Sequence, residues 1–210
     1  MLLLSLFSVA QTETYFQHLD SNDGLSQNDV LAIHQDSYGY IWIGTDDGLN
    51  RYDGRNFKKF KPSPKNPYAI SGNLISTIAE DSLGNLWIGT SGYGINFYER
   101  NTGRFYVLTT GKNNTSGLAS DFIRSIIVDR KNRLWIGTTK GLQVARNASD
   151  YKNIIFNSPF TENHHTLKTI PSTIFEDQQG AVWIGTPSGL LKTEAEDKAA
   201  IPQIKQVYRD

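Results

Sequence analysis

Short apolar runs alternate with polar turns along this chain, and their spacing follows no helical period. From Val30, "VLAIH" is an apolar run, "DSYG" is a turn, and "YIWIGT" (40–45) is rich in β-formers. After a second turn, "LNRYD" (49–53) and "FKKFK" (57–61) alternate apolar with polar residues. Four short strands joined by tight turns predict one antiparallel sheet. The same sentence returns three times. The second unit reads "LISTIA", "NLWIGT", "INFYE", "RFYVLT"; the third reads "FIRSIIV", "RLWIGT", "LQVAR", "NIIF"; the fourth reads "STIFE", "AVWIGT", "LLKTE", "IKQVY". The first two strands of each unit are apolar on both faces, which suits sheets packed between neighbouring sheets.

Four units of this length predict an all-β fold, a β-propeller of four blades with four antiparallel strands each. The blades are expected at about 28–62, 72–110, 120–157 and 169–209. All four tryptophans, Trp42, Trp87, Trp135 and Trp183, fall at one place in the repeat, where they are expected to fill the space between sheets. Six residues before each lies an aspartate, Asp36, Asp81, Asp129 or Asp177, at the start of a turn, where a carboxylate can accept backbone N–H groups. Three residues after each aspartate come Gly39, Gly84, Asn132 and Gly180, the residue types that tolerate positive φ. Gly44, Gly89, Gly137 and Gly185 are expected where a neighbouring blade approaches closely. Rows of aspartates and tryptophans invite catalytic or sugar-stacking readings. Repeat symmetry sets the copies apart, one per blade, so turn and packing roles are assigned to them.

A leading segment, Tyr15 to Leu19, reads as an outer strand that could close a ring. The fourth unit already owns an outer strand at Ile204 to Tyr208, so the leading strand lacks an obvious partner within the chain. An open arc of four blades would expose apolar faces on its two end blades.

"LWIGT" followed by "GL" or "GI", with the aspartate turn before it, resembles the two-component regulator propeller repeat. The opening "FQHLDSNDGLSQNDVLAIHQDSYGYIWIGTDDGLNRYDG" is similar to the start of the periplasmic sensor region of hybrid two-component sensors (histidine kinase/response regulator) of Bacteroides-type gut bacteria. The resemblance covers residues 15–210, in register. It implies that the four blades are an incomplete, open part of a seven-bladed ring, followed in such parents by further sensor domains, a membrane helix and a kinase. It also implies detection of glycan fragments. The kinase lies outside these 210 residues, so no enzyme activity is carried over to this chain.

Composition excludes several other classes. Apolar residues make up 38% and charged residues 20% of the 210, enough for a packed core. Lys plus Arg equals Asp plus Glu at 21 each, so no net field favours nucleic acid. There is no cysteine, hence no disulfide, thiolate metal site or cysteine nucleophile. The first ten residues, "MLLLSLFSVA", read as a signal-peptide remnant cleaved after Ala10, or alternatively as a buried strand. Export would place the remaining 11–210 in the periplasm or outside the cell, with the parent held in the inner membrane.

Long polar loops join the fourth strand of each unit to the next: 20–29, 61–73, 109–121 and 157–169. They share one face with the turns between second and third strands, and loops on a rigid scaffold carry binding. The candidate ligand-binding residues are Asn22, Asp23, Asn66, Tyr68, Tyr93, Asn113, Asn114, His164 and His165, suited to a neutral polar ligand such as an oligosaccharide. No catalytic residue, metal site or cofactor is expected; the adjacent His164 and His165 lack a third ligand at a recognised spacing. His18 and His34 are read as packing residues in strands. The partners implied are an oligosaccharide, the remaining blades and sensor domains of the same parent chain, and a second copy in a homodimer, with no nucleic acid. Two other readings stay open. One is a sialidase- or lyase-like propeller enzyme, although the nine arginines are scattered. The other is a purely structural or protein-interaction segment.

Overall fold

The structure, a computed structural model, describes residues 16–111, 115–159, 170–194, 202 and 204–208. The signal-like segment 1–10, Tyr15, Asn113, Asn114, His164 and His165 lie outside the described residues. Among those described there is no helix, and none that could cross a membrane.

The described residues form fifteen strands in four antiparallel sheets. The first sheet holds β1 (Val30–Gln35), β2 (Ile41–Thr45), β3 (Gly48–Tyr52) and β4 (Phe57–Phe60) in sequence order. The second holds β5 (Ile75–Glu80), β6 (Leu86–Thr90), β7 (Ile95–Glu99) and β8 (Arg104–Leu108). The third holds β9 (Ile123–Val128), β10 (Leu134–Thr138) and β11 (Gly141–Ala145). The fourth holds β12 (Thr173–Glu176), β13 (Val182–Thr186), β14 (Gly189–Thr193) and β15 (Ile204–Tyr208). The result is an open propeller arc rather than a closed ring.

Each sheet is a blade, and the core consists of three layers, one between each pair of consecutive blades. Trp42 and Leu49 of blade one pack against Ile78, Leu86, Ile88, Tyr98 and Phe105 of blade two. Trp87, Ala79 and Phe97 meet Ile126, Leu134 and Ile136 of blade three. Trp135, Leu142 and Val144 meet Ile174, Val182 and Ile184 of blade four. The close approach is set by glycines. A Cβ on Gly44 would stand 2.7 Å from the Ile75 side chain of blade two, and one on Gly89 2.7 Å from Ile123 of blade three. A Cβ on Gly137 would stand 3.0 Å from Pro171, just before blade four. At Gly185 both atoms within 4 Å belong to Thr173 of its own blade, whereas Gly89 and Gly137 meet a neighbouring blade as well as their own.

Three expectations fail locally. "NIIF" (153–156) forms no strand. The chain turns through Asn147, at φ 54°, and returns to β11 in a single bridge between Val144 and Asn157. Ile154 and Phe156 still point into the core, so the hydrophobic pattern was obeyed without the ladder. Residues 16–19 of the leading segment form no strand either, and Phe16 is 94% exposed. His18 consequently lies in solvent instead of packing in a strand. Without a sheet edge to pair with, alternation alone does not make a strand.

Candidate functional site

The two faces of the arc differ in what their polar groups are used for. On one face lie the turns between first and second strands, where the repeat aspartates sit. Asp36 Oδ1 accepts the N–H of Tyr38 (3.0 Å) and Tyr40 (2.9 Å), and its Oδ2 accepts the Trp42 indole N–H at 2.7 Å. Asp129 and Asp177 accept the indoles of Trp135 (2.8 Å) and Trp183 (2.7 Å) in the same way. Gly39, Gly84, Asn132 and Gly180 all have positive φ in these turns. The six-residue spacing of Asp and Trp thus serves one closed hydrogen-bonded unit. The second copy differs. Asp81 Oδ2 takes the Asn85 amide at 3.0 Å, freeing the Trp87 indole to donate to the Ala148 carbonyl of blade three at 2.8 Å.

Fastening between blades occupies the rest of this face. Glu80 of blade two accepts the Ser37 N–H (2.8 Å) and hydroxyl (2.7 Å) of blade one. Glu176 of blade four accepts the Arg130 N–H of blade three at 3.1 Å. Arg100 joins Asp36 (2.8 Å) to Glu80 (3.5 Å) across the first boundary. Burial pushes the Asp36 carboxyl up, but its bonds from Trp42, Arg100 and the Tyr40 amide outweigh this and hold it below the usual range. Burial raises Glu176, against its bond from the Arg130 amide. His34 Nε2 is buried without a hydrogen-bond partner, 3.8 Å from Glu80 Oε2. Its desolvation lowers the imidazole, against the pull of the Glu80 and Asp36 carboxylates.

A cavity of about 280 Å³ opens on this face between blades two and three, lined by Leu83, Glu99, Asp150, Tyr151 and Lys152 among others. Its aromatic wall is spent on packing. Tyr151 is stacked between Phe97 and Tyr106, each at 4.6 Å. Burial and the bond with Tyr106 push the Tyr151 phenol up to about 12.

The opposite face carries the long loops. Three of them, 20–29, 61–73 and 109–121, are pinned from below by buried amides that sequence reading missed. Asn50 Oδ1 accepts the Ser26 N–H, Asn96 Oδ1 the Ser71 N–H and Gln143 Oε1 the Ala119 N–H, each at 2.9 Å. These three residues occupy one repeat position, two after the glycine that opens the third strand, where blade four has Leu191. A polar side chain recurring inside an apolar strand was the available signal, since a buried amide must find partners.

On this scaffold the sequence-nominated residues do not gather into one site. Asn22 and Asp23 fold back on Asp20 in an exposed turn. Asn66 caps its own loop by accepting the Tyr68 N–H at 3.0 Å. Tyr68 leaves the loop face and lies along the outer strand β8, against Tyr106 and under Arg104 at 4.3 Å. Tyr93 stays on the loop face, 56% exposed. Among the described residues no group of three or more His, Asp or Glu is placed to hold a metal.

The signature described as "Two component regulator propeller" matches residues 24–47, 69–92, 117–140 and 168–188. Over 69 residues the chain is 41% identical to a protein named histidine kinase P4 of Formosa agariphila, spanning 32% of this chain and 5% of that one. The extracellular domain of a hybrid two-component system of B. thetaiotaomicron superposes with a TM-score of 0.72 at 26% identity. That match covers 91% of this chain and 26% of the other. A virginiamycin B lyase of Staphylococcus aureus matches with a TM-score of 0.56 at 13% identity, over 86% of this chain and 56% of that one, a likeness of fold alone. The chain spans about a quarter of the sensor domain that it matches and far less of the kinase. Four repeats in register, built as four blades of an open arc, make this chain a member of the two-component regulator propeller family.

Proposed function

We propose that this chain is a ligand-sensing propeller segment of an extracytoplasmic two-component sensor, one that detects glycan fragments and signals to a kinase elsewhere in its parent. The observation that carries the reading is the match along 91% of the chain to the extracellular domain of a hybrid two-component system. The division of labour between faces supports it. Most turn-face polar groups are engaged in fastening, while the described loops opposite are polar, largely exposed and held on a rigid base. The electroneutral composition suits a neutral ligand. The chain's partners are further blades of the same parent, for which the end faces offer the same repeat surfaces that pack between blades inside the arc. The parent sits in the inner membrane as a homodimer, with this segment outside the cytoplasm.

The test is a thermal-shift screen of the full chain against oligosaccharides. Saturation at about 100 times Kd adds about 2.7 kcal/mol, and hence several degrees of melting temperature. One class of oligosaccharide is expected to shift the transition. A screen without any shift, on a chain that melts cooperatively, overturns the glycan reading.

A further inference from the structure

Two aromatic rings on the loop face are exposed, yet their backbone is held firmly. Tyr93 lies in the turn between β6 and β7, where blade two has one residue more than the other blades. Phe122 ends the loop that leads into β9 of blade three. They are 56% and 51% exposed. The two residues flanking Tyr93, Gly92 and Gly94, both donate their N–H to the Asp121 carbonyl at 3.0 Å, and Phe122 is the next residue. A β-bridge joins Ser91 to Phe122. The Asp121 carboxylate in turn accepts the Thr110 N–H and hydroxyl, both at 2.8 Å. One peptide junction therefore fixes both residues across the boundary between blades two and three.

Each ring also has a glycine seat. A Cβ on Gly72 would stand 2.6 Å from the Tyr93 ring, and one on Gly92 3.3 Å from the Phe122 ring. The Tyr93 carbonyl accepts the Ser71 hydroxyl at 2.9 Å, which closes the seat on the other side. Large aromatic rings left half exposed on a fixed backbone are typical of contact surfaces. Ser71, Thr110 and Asp121 are hydrogen-bonded to this junction, so polar groups border the two apolar rings. That combination matches a ring with a C–H face and hydroxyl edges.

We propose that Tyr93 and Phe122 form the stacking platform for a sugar ring on the loop face. Sequence reading nominated Tyr93 and passed over Phe122, whose place beside it only the junction at Asp121 creates. The proposal rests on the glycan reading above and adds the residues that make the contact.

The experiment measures binding of the full chain to cellobiose, maltose, mannobiose and N,N′-diacetylchitobiose by titration calorimetry and saturation-transfer NMR. For the disaccharide that binds, Tyr93→Ala and Phe122→Ala are expected to weaken Kd about three- to tenfold. Tyr93→Phe should keep the affinity, and Val107→Ala, on the exposed outer strand, should not change it. In wild type, saturating the aromatic protons should transfer to the sugar C–H protons, a readout that needs no variant to fold. Equal affinity in both alanine variants, or no transfer from aromatic protons, overturns the platform and leaves the glycan reading standing. If none of the four binds while longer oligosaccharides shift the melting transition, a single-ring platform is overturned. Binding of no saccharide at all overturns both.

Discussion

Blades two and three, which have neighbours on both sides, differ from blades one and four, which have one each, although all four carry the same repeat. The isoleucine three residues before the repeat aspartate shows this most directly. Ile78, Ile126 and Ile174 are 9%, 4% and 6% exposed, whereas Ile33 of blade one is 69% exposed. That position faces the preceding blade, and blade one has none within the arc. The next residue faces the following blade. Ala79 is buried there in blade two, while Phe175 of blade four is 64% exposed. Trp42, Trp87 and Trp135 are wholly buried, but Trp183 only partly. Identical residue types in identical strands thus reach opposite solvation, because burial in a repeat array belongs to the interface and not to the repeat.

The largest expected effect compares tryptophans. Trp87→Ala should destabilise by about 3–5 kcal/mol through loss of packing and cavity formation. Trp183→Ala should cost less than half as much, since its ring is closed on one side only and is flanked by Lys192 at 4.3 Å. Urea unfolding of both variants measures the difference. Equal losses would mean that the last blade's outer face is covered, and the comparison of inner and end blades would break.

A smaller contrast is expected within the isoleucines. Ile126→Ala should cost about 2–4 kcal/mol, whereas Ile33→Ala should stay within about 0.5 kcal/mol. Ile33→Ser should also reduce self-association of the chain in light scattering, because it removes apolar surface from an open end. A substantial stability loss at Ile33 would reveal a contact that the arc does not show.

Glycines in the turns separate backbone strain from crowding. Gly39 has φ 88° and no atom within 4 Å of a would-be Cβ, so Gly39→Ala tests positive φ alone, at about 1–2 kcal/mol. Gly84 has φ 82°, and its Cβ would meet the Tyr38 ring at 3.2 Å and Arg100 at 3.4 Å. Gly84→Ala should therefore cost more, and Gly84→Val more still than Gly84→Asn. Equal melting temperatures for Gly39→Ala and Gly84→Ala would remove the crowding argument.

The smallest effect concerns pH at the first blade boundary. In the folded state desolvation by burial lowers the His34 pKa below the ordinary imidazole value, so it binds a proton less readily than in the unfolded chain. Stability from this residue is present above about pH 6.5 and declines as pH falls through that value toward the folded pKa. Urea midpoints at pH 7.5 and 5.5 should differ more in wild type than in His34→Gln. An equal or smaller difference in wild type would show that Glu80 and Asp36 offset the desolvation.

Much of this was legible in the sequence. The alternation of strands and turns, the tryptophan spacing and the aspartate–glycine turns all express local rules: β-propensity, turn geometry and period. These act over a few residues and need no partner to be read. The shared bond of each turn aspartate with its tryptophan indole was not legible, nor its replacement by Asn85 in blade two, because six residues along the chain become neighbours only after the turn closes. The failures lay where pairing decides. "NIIF" has strand composition but meets the core through one bridge, and residues 16–19 have no edge to join.

The candidate site was legible only by region. Composition located polar loops on one face, yet it could not tell that Tyr68 would be drawn to the outer strand. Nor could it show that Phe122 would be pinned beside Tyr93 through a carbonyl of Asp121. The sequence by itself determined the blade, its strands and the chemistry of its turns. The tertiary structure alone decided which copies of that blade are buried and which distant residues share a junction. The physical reason is range: hydrogen bonding within a turn is settled by neighbours in the chain, whereas burial and convergence depend on surfaces supplied from 40 or more residues away, as Glu80 is for Ser37.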